Sequence, residues 1–207
     1  MKDISVKALA KINLGLDVVR KREDGYHEVR MVMQTIHLFD RLEISKNTSG
    51  EITMETNLSF LPTNENNLVY KAAKLLQDEF AIKDGVHVWL HKYIPVAAGM
   101  AGGSTDAAAV LYGMNQIFDL GLTREELMER GVKIGADVPY CIMRGTALAE
   151  GIGEKLSKLP PMVKCPVLIA KPQISVSTKF VYENLKLGSD MVHPDIDRLV
   201  ADIREKD

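Results

Sequence analysis

The stretch PVAAGMAGGSTDAAA, residues 95–109, holds three glycines and six alanines and leads directly into a helical pattern of small residues. Glycine has no Cβ, so its backbone can approach a ligand closely. A glycine-rich turn that opens a helix also presents N–H groups at the positive end of the helix dipole, where phosphate binds. As an isolated motif it is weak, since a plain strand-to-helix connection capped by Ser104 explains it equally well.

The loop differs from the best-known phosphate loops. Its glycines, at 99, 102 and 103, lack the Rossmann spacing, and no Gly-Lys-Ser/Thr of a Walker loop follows. The sequence predicts a helix over about 104–118, capped by Ser104 or Thr105. Asp106 is expected to complement the helix dipole or to hold a metal through water.

Two alanines stand among the glycines of this loop, Ala97 and Ala101. We expect both to have a negative φ, because a left-handed backbone is unfavourable for alanine. The alanines after Asp106 are expected to let the helix lie close to a sheet.

Composition excludes several classes of protein. The 207 residues, 46% hydrophobic and 26% charged, are those of a globular protein with room for up to two domains. The net charge of -2 gives no basic field for nucleic acid. No signal peptide or membrane-spanning run is recognisable. Cys141 and Cys165 fit neither a disulfide framework nor a metal motif, which predicts reduced cysteines in a cytoplasmic protein. We expect no membrane partner, and a monomer or homodimer.

The order of predicted elements indicates an α+β fold of two layers. Local patterns predict a turn at Asp24-Gly25, a helix capped by Asn66 or Asn67, and a capping box of Thr123 with Glu126. The predicted strands are 2–9, 12–19, 31–44, a hairpin within 48–56, 86–93, 137–143, 145–151 and a buried strand at 165–172, and helices follow at 177–186 and at the end of the chain. Pro160-Pro161 marks the predicted joint between a domain of residues 1–160 and an unfinished one of 161–207.

Two further motifs carry candidate catalytic residues. In AKINLGLDV, residues 10–18, Lys11 and Asn13 face the same side of a predicted strand. In GADVPY, residues 135–140, Asp137 follows a helix and Pro139 prevents its continuation. Taken singly, a surface lysine and a turn-capping aspartate are the simpler interpretations.

Together, the three motifs resemble those of the GHMP small-molecule kinases, in the same order and at similar separations. The stretch REDGYHEVRMVMQTI, residues 22–36, resembles the branch that phosphorylates the 2-hydroxyl of a cytidyl-diphosphate-linked methylerythritol, in the non-mevalonate route to isoprenoid precursors. The resemblance covers the entire chain. It implies a ribosomal-protein-like β/α domain followed by an α/β-sandwich domain, of which this chain holds the start.

The resemblance also implies roles for individual residues, with ATP and Mg²⁺ as cofactors. Asp137 would accept the proton of the substrate hydroxyl, with Lys11 as its partner. Tyr26 would stack on the cytosine and His27 make polar contacts to it, with Tyr182 on the other face and Asn13 beside Lys11. ATP phosphates would lie on the loop and Mg²⁺ would bind Ser104. The loop residues so implied are Pro95, Val96, Ala97, Ala98, Gly99, Met100, Ala101, Gly102, Gly103, Ser104 and Thr105.

Two other interpretations remain open. A GHMP kinase acting on homoserine or a mevalonate-type alcohol is disfavoured by GYHEV, since those substrates carry no base. A non-catalytic nucleotide- or nucleic-acid-binding module is disfavoured by the joint presence of Lys11 and Asp137. The family's third glycine-rich motif is absent from these 207 residues, so we expect a fragment or a short form with a more open site.

Overall fold

The computed structural model describes residues 3–172, 174, 177–188 and 191–205. The chain forms two compact units that alternate along the sequence. The first consists of Met1–Ala10, Ile36–Pro95 and Ala101–Met143, and the second of Lys11–Thr35, Val96–Met100 and Arg144–Asp207. The predicted domain boundary after residue 160 stays a prediction.

A mixed sheet of six strands forms within the described residues. The strands are β1 (Asp3–Lys21), β2 (His27–Asn47), β3 (Ile52–Thr56), β4 (Gly85–His91), β5 (Thr146–Glu150) and β6 (Lys155–Lys158). Their order is β3-β4-β2-β5-β6, and β1 pairs with β2. Two predictions were wrong. The strands expected at 2–9 and 12–19 are one continuous strand, and β3 pairs in parallel with β4 instead of closing a hairpin with β2.

The helices confirm the α+β class. They are α1 (Leu68–Glu79), α2 (Gly102–Ile117), α3 (Arg124–Val132), α4 (Val138–Met143), α5 (Thr178–Asn184) and α6 (Ile196–Glu205). Local signals placed two starts correctly: the Asn67 side chain accepts a hydrogen bond from the N–H of Val69, and Thr123 forms its capping box with Glu126. Among the described residues no helix has the length and apolar character to cross a bilayer.

Two apolar segments do not form the strands expected of them. Residues 138–143 are helix α4, because Pro139 lies in its first turn, where no partner for a backbone N–H is needed, and the helix packs on α2 and α3. Residues 165–172 form no strand within the described structure, and Leu168 is 97% exposed. No described strand pairs with residues 165–172. An apolar run by itself is therefore not enough to form a strand here. Cys165 of this segment is exposed, whereas Cys141 of α4 is buried.

Helix α2 forms the centre of the first unit. It packs against α1 and α4, and Ala107, Ala108 and Ala109 are buried. A Cβ added to Gly113 would lie 2.4 Å from Cδ1 of Ile44 in β2, so the helix approaches the sheet as closely as a glycine permits. The expected close packing of this small-residue helix is confirmed.

In the second unit, α6 packs on the sheet. Val32 of β2, Leu159, Ile196 and Val200 form a buried apolar cluster. At its edge the guanidinium of Arg30 donates hydrogen bonds to Glu150 and Asp197.

Candidate active site

The loop between β4 and α2 has a left-handed backbone at two alanines. The φ angle is 54° at Ala97 and 55° at Ala101, beside 70° at Gly99. Our expectation of negative φ at both alanines was therefore wrong. A non-glycine residue with a left-handed backbone destabilises the folded state by on the order of 1–3 kcal/mol, so this conformation persists only where surrounding contacts impose it.

Helix α2 begins two residues earlier than the sequence predicted. Its N-cap is Ala101, without any side-chain cap, so the expected cap by Ser104 or Thr105 was also wrong. The hydroxyl of Thr105 is instead used elsewhere: it donates to the carbonyl of Leu9 in β1 at 2.8 Å. Thr105 thus ties the first turn of the helix to the sheet.

The loop–helix junction presents backbone donors. The first intrahelical bond runs from the N–H of Thr105 to the carbonyl of Ala101 at 2.8 Å. The N–H groups of Gly102, Gly103 and Ser104 precede that bond and have no partner four residues back in the helix. Gly103 is exposed, and a Cβ there would meet only Leu68, at 3.6 Å. The junction therefore offers an open row of N–H groups at the positive end of a 16-residue helix, which suits phosphate oxygens.

Lys11 and Asn13 lie together as their alternation on a strand predicts. The ammonium of Lys11 donates to Oδ1 of Asn13 at 3.2 Å, and Lys11 is buried. The backbone N–H of Lys11 donates to the carbonyl of Met100 at 3.2 Å, which fixes β1 to the loop within the second unit. A buried lysine with a polar partner differs from the solvated surface lysine of the simpler interpretation.

Asp137 immediately precedes helix α4 and is half-buried. Its carbonyl accepts the N–H of Cys141 at 3.0 Å, which closes the first turn of the helix. A carboxylate at the N-terminal end of a helix is favoured by the unsatisfied N–H groups there. Asp137 belongs to the first unit and Lys11 to the second, so their partnership stays a prediction.

The residues expected to recognise cytidine lie in the second unit. The turn at Asp24-Gly25 is confirmed, with a φ of 85° at Gly25, and Tyr26 after it is 60% exposed. The rings of His27 and Tyr182 stack with centroids 4.8 Å apart and planes inclined by 23°. Residues far apart in sequence are thus brought together, whereas no contact of Tyr26 with either ring is described.

A buried group of three charged residues was not predicted. Asp40 of β2, Lys92 after β4 and Asp106 of α2 are 0%, 7% and 2% exposed. The ammonium of Lys92 donates to Oδ2 of Asp40 and, at 2.8 Å, to Oδ2 of Asp106. We call these three residues the charged cluster. A sequence signal existed, since Asp106 directly precedes the apolar run 107–111 of a predicted helix and Asp40 follows Leu38-Phe39.

Comparisons with known proteins agree with the three motifs. Residues 67–145 match the family model described as the GHMP kinases N terminal domain. The 4-diphosphocytidyl-2-C-methyl-D-erythritol kinase of Lachnoclostridium phytofermentans is 61% identical over 204 residues, which are 99% of this chain and 70% of that protein. The enzyme of the same name from Brevibacillus brevis is 52% identical, over 99% of this chain and 70% of its own. The chain belongs to the 4-diphosphocytidyl-2-C-methyl-D-erythritol kinase family.

Solved structures share the fold of this family member. A crystal structure of 4-(cytidine 5'-diphospho)-2C-methyl-D-erythritol kinase superposes with a TM-score of 0.78 at 30% identity, over 99% of this chain and 72% of that one. Homoserine kinase from Cytophaga hutchinsonii gives a TM-score of 0.68 at 17% identity, over 100% and 69% of the two chains, which shows a shared fold. The expected GHMP fold is confirmed, and kinases of this family use ATP.

The donor set suits a metal ion held mainly by a nucleotide. Among the described residues no group of three or more His, Cys, Asp or Glu side chains could hold a metal ion. Asp106 is buried, and its Oδ2 is already bonded to the ammonium of Lys92. The hydroxyl of Ser104, half-buried in the first turn of α2, is a single oxygen ligand. That fits Mg²⁺, which is usually bound by one or two protein groups together with phosphates and water.

Proposed function

We propose that this chain transfers the γ-phosphoryl group of ATP to the 2-hydroxyl of 4-diphosphocytidyl-2-C-methyl-D-erythritol, in the non-mevalonate route to isoprenoid precursors. This substrate is the one in the names of relatives that are 49–61% identical over 98–100% of the chain. We further propose that the protein acts in the cytoplasm, as a monomer or homodimer.

The observation that best supports the cytidyl substrate is the stack of His27 on Tyr182. Aromatic stacks have centroids about 4.5–7 Å apart, so at 4.8 Å these two rings lie in direct contact with no space for a base between them. We propose that the cytosine stacks between Tyr26 and Tyr182, while His27 makes polar contacts to it. Homoserine and mevalonate carry no group that needs such an aromatic site.

We propose that the ATP phosphates bind the loop Pro95–Thr105 and the N–H groups of Gly102, Gly103 and Ser104. Bound there, the phosphates would be neutralised by backbone dipoles, which suits a protein of net charge -2. Mg²⁺ bound to Ser104 and the phosphates would neutralise further charge on the transferred group.

In the proposed reaction the oxygen of the substrate 2-hydroxyl bonds to the γ-phosphorus of ATP, while Asp137 takes the proton of that hydroxyl. The bond from that phosphorus to the β–γ bridging oxygen breaks, and ADP leaves with the electron pair. An alcohol is a weak nucleophile, so a carboxylate positioned as base raises the rate by about 10²–10⁴-fold. Lys11 would stabilise negative charge on the transferred phosphoryl group.

The direct test is ADP release by the purified chain with MgATP and the cytidyl substrate, in parallel with homoserine and mevalonate. Asp137→Asn serves as the blank. Turnover with the cytidyl substrate alone is the expected result. Turnover with homoserine or mevalonate instead would contradict the proposed substrate.

Equilibrium binding separates substrate recognition from chemistry. Calorimetric titration with ATP and, separately, with the cytidyl substrate should show a site for each. A chain that binds neither ligand is not the proposed kinase, and a chain that binds RNA or DNA instead would favour the binding-module interpretation.

A further inference from the structure

The charged cluster joins the two ends of the loop Pro95–Thr105, which we call the phosphate loop. Lys92 lies just before the loop, and Asp106 lies in the helix that follows it. Asp40 of β2 holds the side that enters the loop: Oδ2 accepts from Lys92, and Oδ1 accepts the backbone N–H groups of Tyr93 at 2.5 Å and Ile94 at 2.8 Å. Lys92 alone reaches the other side, where it donates to Asp106. The residues that enter the loop and the helix that leaves it are therefore fixed through one ammonium group.

Gly102 brings the phosphate-binding backbone into contact with this cluster. A Cβ added there would lie 3.1 Å from Nζ of Lys92 and 3.3 Å from Cγ2 of Ile94. The missing side chain of Gly102 therefore makes room for the ammonium group beneath the loop, not for a ligand above it. The backbone of Gly102, in the first turn of α2, therefore packs closely against the ammonium group of Lys92.

The cluster is a poor device for stability alone. Removing an ammonium and two carboxyl groups from water is unfavourable, and a buried ion pair often contributes less than apolar residues of the same volume. Oδ1 of Asp106 is buried without a hydrogen-bond partner in the described structure. Burial raises the pKa of Asp106 well above its ordinary value, against the attraction of Lys92 and with the repulsion of Asp40. A protonated Asp106 leaves the cluster neutral.

We propose that Lys92, held between Asp40 and Asp106, is a positioning residue for phosphoryl transfer. It sets the spacing of the N–H groups at Gly102, Gly103 and Ser104, to which the nucleotide phosphates bind. The left-handed backbone of Ala101, directly before these groups, is of the kind that only surrounding contacts maintain. This inference rests on the proposed function, because it assigns the cluster to the same nucleotide site.

The test compares Lys92→Met with Lys83→Met, which removes the same charge from an exposed position. Calorimetric titration measures the affinities for ATP and for the cytidyl substrate well below the melting temperature of each variant. Lys92→Met should weaken ATP binding by at least about tenfold, equal to about 1.4 kcal/mol, and change the affinity for the cytidyl substrate less than about twofold. Lys83→Met should change neither affinity.

A purely structural role would lower the melting temperature of Lys92→Met but leave the ATP affinity of the folded protein unchanged, and that result overturns the proposal. Should Lys92→Met not fold, Asp106→Ala tests the same link, because alanine fits this alanine-rich helix and the Asp40 pair remains. ATP affinity should fall several-fold in Asp106→Ala and recover in Asp106→Asn, an isostere of the protonated acid. Equal affinities in both variants overturn the proposal. A wild-type chain that binds no ATP overturns the proposed function and this inference together.

Discussion

Ala101→Gly should stabilise the protein, which is unusual for a substitution to glycine. Ala101 has a φ of 55° and a ψ of 30°, where a residue with a Cβ loses roughly 1–2 kcal/mol and glycine almost nothing. The added freedom of the unfolded chain offsets about 0.4–1 kcal/mol of this gain. The net increase in the free energy of unfolding is thus about 0.5–1 kcal/mol.

Thermal unfolding followed by circular dichroism measures this increase. For a chain of this size, 1 kcal/mol shifts the melting temperature by about 2–4 °C, so we expect a rise of about 1–4 °C. Ala98→Gly is the matched control, since Ala98 is half-buried in the same loop but lacks a positive φ. It should lower the free energy of unfolding by about 0.4–1 kcal/mol. A fall of equal size in both variants would refute the strain at Ala101.

Three further predictions concern individual side chains. Asp137→Asn should leave the ATP affinity intact and reduce ADP release by about 10²–10⁴-fold; an undiminished rate would remove Asp137 as the base. Tyr182→Ala should weaken binding of the cytidyl substrate more than ATP binding, with Tyr182→Phe near wild type; equal losses for both ligands would argue against stacking. Because the pKa of Asp106 is raised in the folded state, the unfolded chain loses the proton of this carboxyl at lower pH, above about pH 4, than the folded protein does. The free energy of unfolding therefore falls as pH rises. Asp106→Asn lacks this proton, so its stability relative to wild type should increase from pH 4 to pH 7 in urea unfolding, and a pH-independent difference would contradict the assignment.

The parts of the fold that the sequence predicts correctly have local causes. The Asn67 cap, the Thr123 capping box and the Asp24-Gly25 turn each depend on residues within a few positions of one another. The phosphate-binding role of the loop Pro95–Thr105 stays a prediction, because a plain strand-to-helix connection explains its glycines equally well. The resemblance to a known family placed His27 and Tyr182 around one base, but their direct stacking was not predicted, since no local pattern connects them.

The features that the sequence does not predict depend on tertiary contacts. Residues 138–143 form a short apolar run, which a strand and a buried helix share, and packing on α2 and α3 decides between them. Propensity predicts a negative φ at Ala101, yet the adjoining turn is held by the bond from Thr105 to Leu9. The charged cluster assembles from three separate elements, so neither Asp40 nor Asp106 reveals its partner in sequence.

The contrast between the two cysteines makes the segment after Asp137 accessible to kinetic measurement. Cys165 is exposed and should react at once with a maleimide, whereas Cys141, buried in α4, should react only when that helix opens. The slow labelling phase therefore measures how often the helix that follows Asp137 detaches from its neighbours. Carried out with and without ATP, the same experiment shows whether nucleotide binding keeps helix α4 closed.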